Sequence, residues 1–155
     1  MSSIATTSDS NPQASSYGDS DDWMRCFEQL GHGELSPDQA IAQANQGILA
    51  TGLLNWTMPL ALGLWMKKNY VLALEALRQP DVEAACGHMA YYHTLVGMVA
   101  RQVDGNHQLA CDAYERALDI EPNRHDTLYN LANLIKDDRP EDADIMYRRS
   151  LQINP

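Results

Sequence analysis

Residues 110–122, ACDAYERALDIEP, align on residues 143–155, ADIMYRRSLQINP, at an offset of 33 residues. Six positions are identical: Ala110/Ala143, Tyr114/Tyr147, Arg116/Arg149, Leu118/Leu151, Ile120/Ile153 and Pro122/Pro155. Self-similarity of this period restricts a chain to stacked units, none of which can bury its apolar side alone. The upstream halves agree: YHTLVG at 92–97 and LYNLAN at 128–133 each place an apolar residue before a small one, Val96-Gly97 and Leu131-Ala132. Each then reaches its alanine through a polar turn, Asp104-Gly105-Asn106 or Asp137-Asp138-Arg139-Pro140. The unit is helix, turn, helix, proline. Gly97 and Ala132 are small so that the second helix can approach, and Ala110 and Ala143 serve from the other side. Tyr114 and Tyr147 fill the space one turn on. Ala117 and Ser150 leave room for the next hairpin, and the proline resets the chain.

Elsewhere the text is also helical. Trp23, Phe27 and Leu30 share one face, and Gly31 and Gly33 stop that run. Ser36-Pro37-Asp38 opens a second helix, with Ser36 as N-cap, a proline in the first turn and an acid near the positive end of the dipole. Ile41, Ala44 and Ile48 form its stripe. No segment alternates with period two long enough for a strand, so the chain reads as all-α. Residues 1–22 hold seven serines and four aspartates with no base, and such a segment buries too little apolar area to offset its ordering entropy. They are expected to be a disordered acidic tail. Residues 48–66 carry no charge and precede Lys67-Lys68, in outline a membrane span. Asn55 and Pro59 near the middle favour the other reading, the end of one buried helix and a second from Trp56 to Lys68 with Pro59 in its first turn.

The small, aromatic, small, proline pattern on a helix pair resembles the tetratricopeptide repeat (TPR) family. The resemblance is specific for residues 89–122 and 123–155, although His93 stands at the family's Trp-like position and the two turns differ in length. Residues 23–88 are expected to form N-terminal helices, including a degenerate hairpin at 54–80 where ALEALRQP echoes YERALDIEP. The resemblance implies a right-handed helical-hairpin solenoid that holds a partner's peptide in a concave groove.

Composition narrows the chemistry. Of 155 residues, 11 are Lys or Arg and 21 Asp or Glu, a formal charge of −10, which suits neither nucleic acid nor an anionic membrane. Cys26, Cys86 and Cys111 are too scattered for a disulfide framework or zinc knuckle, and without an N-terminal secretory signal reduced thiols in a cytoplasm are expected. The five histidines are dispersed, with no metal spacing, no GxGxxG, no P-loop and no GxSxG, so neither an enzyme nor a cofactor is expected. Asp137, Asp138, Glu141 and Asp142 read as a polar turn at a helix N-terminus.

The chain is therefore expected to be a noncatalytic adaptor. The alternative is a regulatory region ahead of a larger enzyme such as an O-linked glycosyltransferase. With Leu128, Leu131, Ala132 and Ile135 facing the core, the opposite face carries Asp126, Tyr129, Asn133 and Lys136. The same phase one unit earlier gives Tyr91, Thr94, Met98 and Arg101. In the family such faces line the groove, and Asn130 matches an asparagine that binds ligand backbone there. A carboxylate clamp is not expected, because Asn133 lacks its partner Lys and Arg. The last helix carries Ile145, Met146, Leu151 and Ile153 with no capping helix, which implies coverage by further chain, a partner or a second copy, hence association of copies in isolation.

Overall fold

A computed structural model of the chain describes residues 20–155. Residues 1–19 of the expected tail lie outside the described residues. Ser20 and Asp21 form a turn, and Asp22, placed in the tail by sequence, is the first residue of a helix. Nine α-helices and no strand are present among the described residues. They are α1 (Asp22–Gly31), α2 (Pro37–Thr51), α3 (Thr57–Met66), α4 (Tyr70–Leu77), α5 (Pro80–Cys86), α6 (Ala90–Ala100), α7 (His107–Ile120), α8 (His125–Ile135) and α9 (Pro140–Ile153).

The helix signals act as expected. Ser36 caps α2 through a reciprocal pair: its Oγ accepts from the Gln39 N–H at 3.2 Å, and the Gln39 Oε1 accepts from the Ser36 N–H at 2.9 Å. Gly52 ends α2 in the left-handed region at φ +69°, open to glycine at no steric cost. The buried face of α2 is Ala40, Ala44 and Gly47, with Ile41 and Ile48 flanking it rather than leading it. In α1 the core residues are Trp23, Cys26 and Leu30, while Phe27 is half-buried.

The uncharged run 48–66 does not form one helix. It breaks at Gly52, makes a short 3₁₀ turn at Leu54–Trp56, and enters α3 with Pro59 in the first turn, where a missing N–H costs nothing. No helix among the described residues is long and apolar enough to cross a membrane. Instead α3 is apolar all round because it is the hub, packed against α1, α2, α4 and α6.

The helices pair as hairpins, α6 with α7 and α8 with α9 most intimately, and α3 with α4 at the expected degenerate unit. The second helix of one pair meets the first of the next, as α2 meets α3, α4 meets α6 and α7 meets α8. The short helix α5 is an addition between pairs, packed on the Leu54–Trp56 turn. The close approach within α6/α7 is explicit: a Cβ built on Gly97 would lie 2.6 Å from the Tyr114 ring, which is fully buried. Ala110, Ala117, Ala132 and Ala143 are buried at the equivalent contacts. Ser150 departs from its expected role, since its hydroxyl donates to the His125 carbonyl at 2.8 Å and ties the two ends of its own hairpin together.

Two predictions follow from this packing. Gly97→Ala and Ala110→Leu should each destabilise by about 1–3 kcal/mol in urea denaturation, because the extra atoms meet a rigid ring or a closed helix contact. Gly31→Ala, with nothing within 4 Å of the new Cβ, should show no such loss. The second concerns pH. Burial pushes the Cys26 and Cys86 thiols up to about 11 from 9.0. The unfolded chain thus releases these protons first, so stability is full below pH 9 and falls as pH rises towards 11. Denaturation midpoints measured between pH 8 and 11 should decline, and less so in Cys26→Ala/Cys86→Ala relative to its own value at pH 8.

Candidate functional site

The nine residues expected on one partner-binding face separate into distinct settings, and the helix offset explains why. First helices repeat with a shift of 35 residues, as Gly97 to Ala132 shows, so Tyr91 corresponds to Asp126, Thr94 to Tyr129, Met98 to Asn133 and Arg101 to Lys136. In α6 the middle two positions are the face that receives α8. Thr94 is only 4% exposed, and its hydroxyl is hydrogen-bonded to the Ala90 carbonyl at 3.0 Å and to the Thr127 Oγ1 at 2.8 Å. The expectation that Thr94 faces a groove is therefore corrected: it is a joint between repeats. Met98 is half-buried against Tyr114, Leu131 and Ile135 of the same cluster.

In α8 the corresponding pair is uncovered. Tyr129 is exposed, edge-on to Tyr147 with ring centroids 5.7 Å apart, and the Tyr147 hydroxyl donates to the Asn133 Oδ1 at 2.8 Å. That bond leaves the Asn133 amide N–H groups available. Asn130 is half-buried nearby on α8. Tyr129 and Asn133 thus mark the stacking face of the last hairpin, where Leu151, the equivalent of Leu118, is also exposed.

Tyr91 and Arg101 remain open on α6, and Lys136 on α8. Tyr91 is the best organised of them. Its ring stands edge-on to Phe27 of α1 at 6.3 Å, and the Arg124 guanidinium lies over it, 4.1 Å from the centroid. Arg124 is itself fixed by Glu121 Oε2 at 3.0 Å and Asp126 Oδ2 at 3.1 Å. Burial would lower its pKa, but Asp126, Glu121 and the Tyr91 hydroxyl outweigh that and hold it above its ordinary value. Asp126 also accepts from the Thr127 N–H at 2.8 Å, so its carboxylate is committed within the protein. Arg101 acts on Tyr114, whose phenol burial pushes up to about 12 against the lowering effect of that guanidinium.

Sequence reasoning missed a pocket of about 360 Å³ between α1 and α6, walled by Trp23, Met24, Phe27 and Tyr91 with Glu28 and His32 at its rim. Helical periodicity had marked Trp23 and Phe27 as core, and period alone does not show where two helices leave a gap. The concentration of aromatic residues and methionine in the first helix was the available signal. Among the described residues, no group of three or more His, Cys, Asp or Glu is placed to hold a metal ion.

Solved structures share this architecture. A crystal structure of MamA superimposes with a TM-score of 0.66 at 17% identity, over 86% of this chain and 77% of that one. A MamA RS-1 ArsTM double mutant gives 0.64 at 18% identity, over 87% and 76%. MamA 41-end from Desulfovibrio magneticus RS-1 gives 0.62 at 17%, over 84% and 71%. No protein-family model matches the chain, and no curated protein matches it in sequence. At such identities the likeness carries the fold alone: an all-α, TPR-like helical-hairpin solenoid.

The Thr94–Thr127 joint is testable. Thr94→Val keeps the shape and removes the hydroxyl, and should cost on the order of 1 kcal/mol in chemical denaturation, with Thr94→Ser recovering most of it.

Proposed function

We propose that this chain is a noncatalytic interaction module that holds an extended segment of a partner protein, with the pocket between α1 and α6 receiving an apolar side chain. The observation that carries this reading is Tyr91, 46% exposed yet pinned between Phe27 and Arg124 beside that pocket. A large aromatic ring held in place beforehand loses little entropy on binding, which is why such rings dominate interfaces. Arg101 and Lys136, exposed at the C-terminal ends of α6 and α8, extend the surface. The TPR-like fold supports a protein partner, and three buried, unpaired cysteines agree with a reducing cytoplasm.

The test is selection of peptides from a displayed random library on the intact chain. Tyr91→Ala should weaken the selected peptides about tenfold or more while leaving the melting temperature near its original value. Undiminished binding by Tyr91→Ala and by Met24→Ala would remove this pocket from the reading.

A second surface follows from the stacking face of α8/α9, where Tyr129 is 54% and Leu151 63% exposed, with Ile145 and Ile153 also open on α9. Its equivalent in α6/α7 receives a helix. We infer that copies associate through it. Sedimentation over a wide concentration range should show self-association weakened by Leu151→Glu. Monomeric behaviour throughout would refute it.

A further inference from the structure

A second pocket, polar and of about 290 Å³, lies between the α4–α5 junction and α7. Two arginines line it, Arg78 and Arg116, together with two acids, Glu83 and Asp112. Elsewhere Arg25, Lys67, Arg124, Arg139 and Arg148 are each ion-paired. Among the described residues no ion pair forms at Lys68, Arg78, Arg101, Arg116, Lys136 or Arg149, and of these six Arg78 and Arg116 share one pocket with two acids beside them. The opposite charges stand around a common space without closing on each other.

The floor of that space is rigid. The Tyr92 hydroxyl donates to the Leu77 carbonyl at 2.7 Å, the His93 Nε2 is 2.7 Å from the Gly87 carbonyl oxygen, and the two rings meet edge-on at 5.1 Å. With Nε2 engaged, His93 keeps Nδ1 uncommitted. The Asp112 carboxylate is steadied by the Gln108 amide at 2.8 Å.

The charge pattern selects the ligand class. A simple anion would gain from Arg78 and Arg116 but meet Glu83 and Asp112. A simple cation would meet the reverse. Only a group carrying both charges on a small frame gains from all four, and the volume suits a single small molecule rather than a folded segment. We propose that this pocket binds a free α-amino acid, its carboxylate taken by Arg78 and Arg116 and its ammonium by Glu83 and Asp112. Guanidinium forks match a carboxylate in two parallel hydrogen bonds, which gives the site its orientation.

The test is isothermal titration of the intact chain with each of the twenty standard L-amino acids. For the tightest binder, the same molecule without its amino group and the corresponding amine without its carboxyl group are titrated as well. The expected result is saturable one-to-one binding by at least one amino acid. Affinity should fall about tenfold or more for both truncated analogues and in Arg116→Gln and Glu83→Gln. Both variants sit on exposed side chains and should melt as the parent does. Absence of binding by all twenty overturns the proposal. So does equal affinity of the deaminated analogue with Glu83→Gln silent, which would make this a carboxylate site. Loss of binding in Tyr91→Ala with Arg116→Gln unaffected would also overturn it, by moving the ligand to the pocket between α1 and α6.

Discussion

The stack depends on how closely two helices approach where the Tyr114 ring lies on the bare backbone of Gly97. An added methyl group there would sit 2.6 Å from a ring carbon, well inside contact distance. That approach sets the spacing of α6 and α7, which in turn places Met98 and Leu118 where α8 can cover them. The same device recurs at the other end with a different residue pair. The Trp56 indole lies on Gly47, where a Cβ would fall 2.2 Å from the ring. One missing side chain admits one large ring, and the ring then serves as the wedge between helices. Such contacts tolerate little change, because packed interiors have almost no free volume to absorb it.

The helix–turn–helix units, their caps and the 33-residue offset were legible because each rests on local chemistry: Ser36 at an N-cap, Gly52 in the left-handed region, small residues opposite tyrosines. The direction of each face was harder to read. The sequence phase groups Thr94 with Tyr91 and Arg101 because they match Tyr129, Asp126 and Lys136, the face opposite Leu128, Leu131, Ala132 and Ile135. On a helix in a solenoid, however, three directions matter: the partner helix, the next hairpin and the open groove. Thr94 faces the second of these, whereas Tyr91, only three residues away, stays exposed between Phe27 and Arg124. Which direction a residue takes is set by the crossing of helices far away in sequence, and periodicity holds no record of it. The pocket between α1 and α6 was invisible for the same reason, since its walls come from helices separated by the whole of α2 through α5.

The uncharged run 48–66 shows the converse case, where a sequence signal was strong and two folds competed for it. Gly52 at φ +69° and Pro59 in a first turn decide the matter, since a membrane-spanning helix would leave the backbone groups freed at that break without partners. In the stack they are satisfied by a 3₁₀ turn, and the apolar surface is used on all sides because α3 is surrounded. Average hydropathy cannot separate these outcomes; the position of two residues can.

Electrostatics then differentiates the two pockets. Beside the pocket between α1 and α6, Arg124 is paired with Glu121 and Asp126 and lays its flat face on Tyr91, so charge there serves to hold an aromatic ring in place. Arg124 has little solvent access and two carboxylates, so its position is over-determined, and Tyr91 inherits that rigidity. In the pocket between the α4–α5 junction and α7, Arg78 and Arg116 form no ion pair above a floor made rigid by Tyr92 and His93. The two surfaces therefore use the same residue type in opposite ways. On the proposed partner surface, where arginine is neutralised, recognition would fall to apolar area, which is tolerant of sequence. On the proposed amino-acid site, where arginine is left unpaired beside acids, recognition would fall to the separation of charges, which is exacting about the size of what enters.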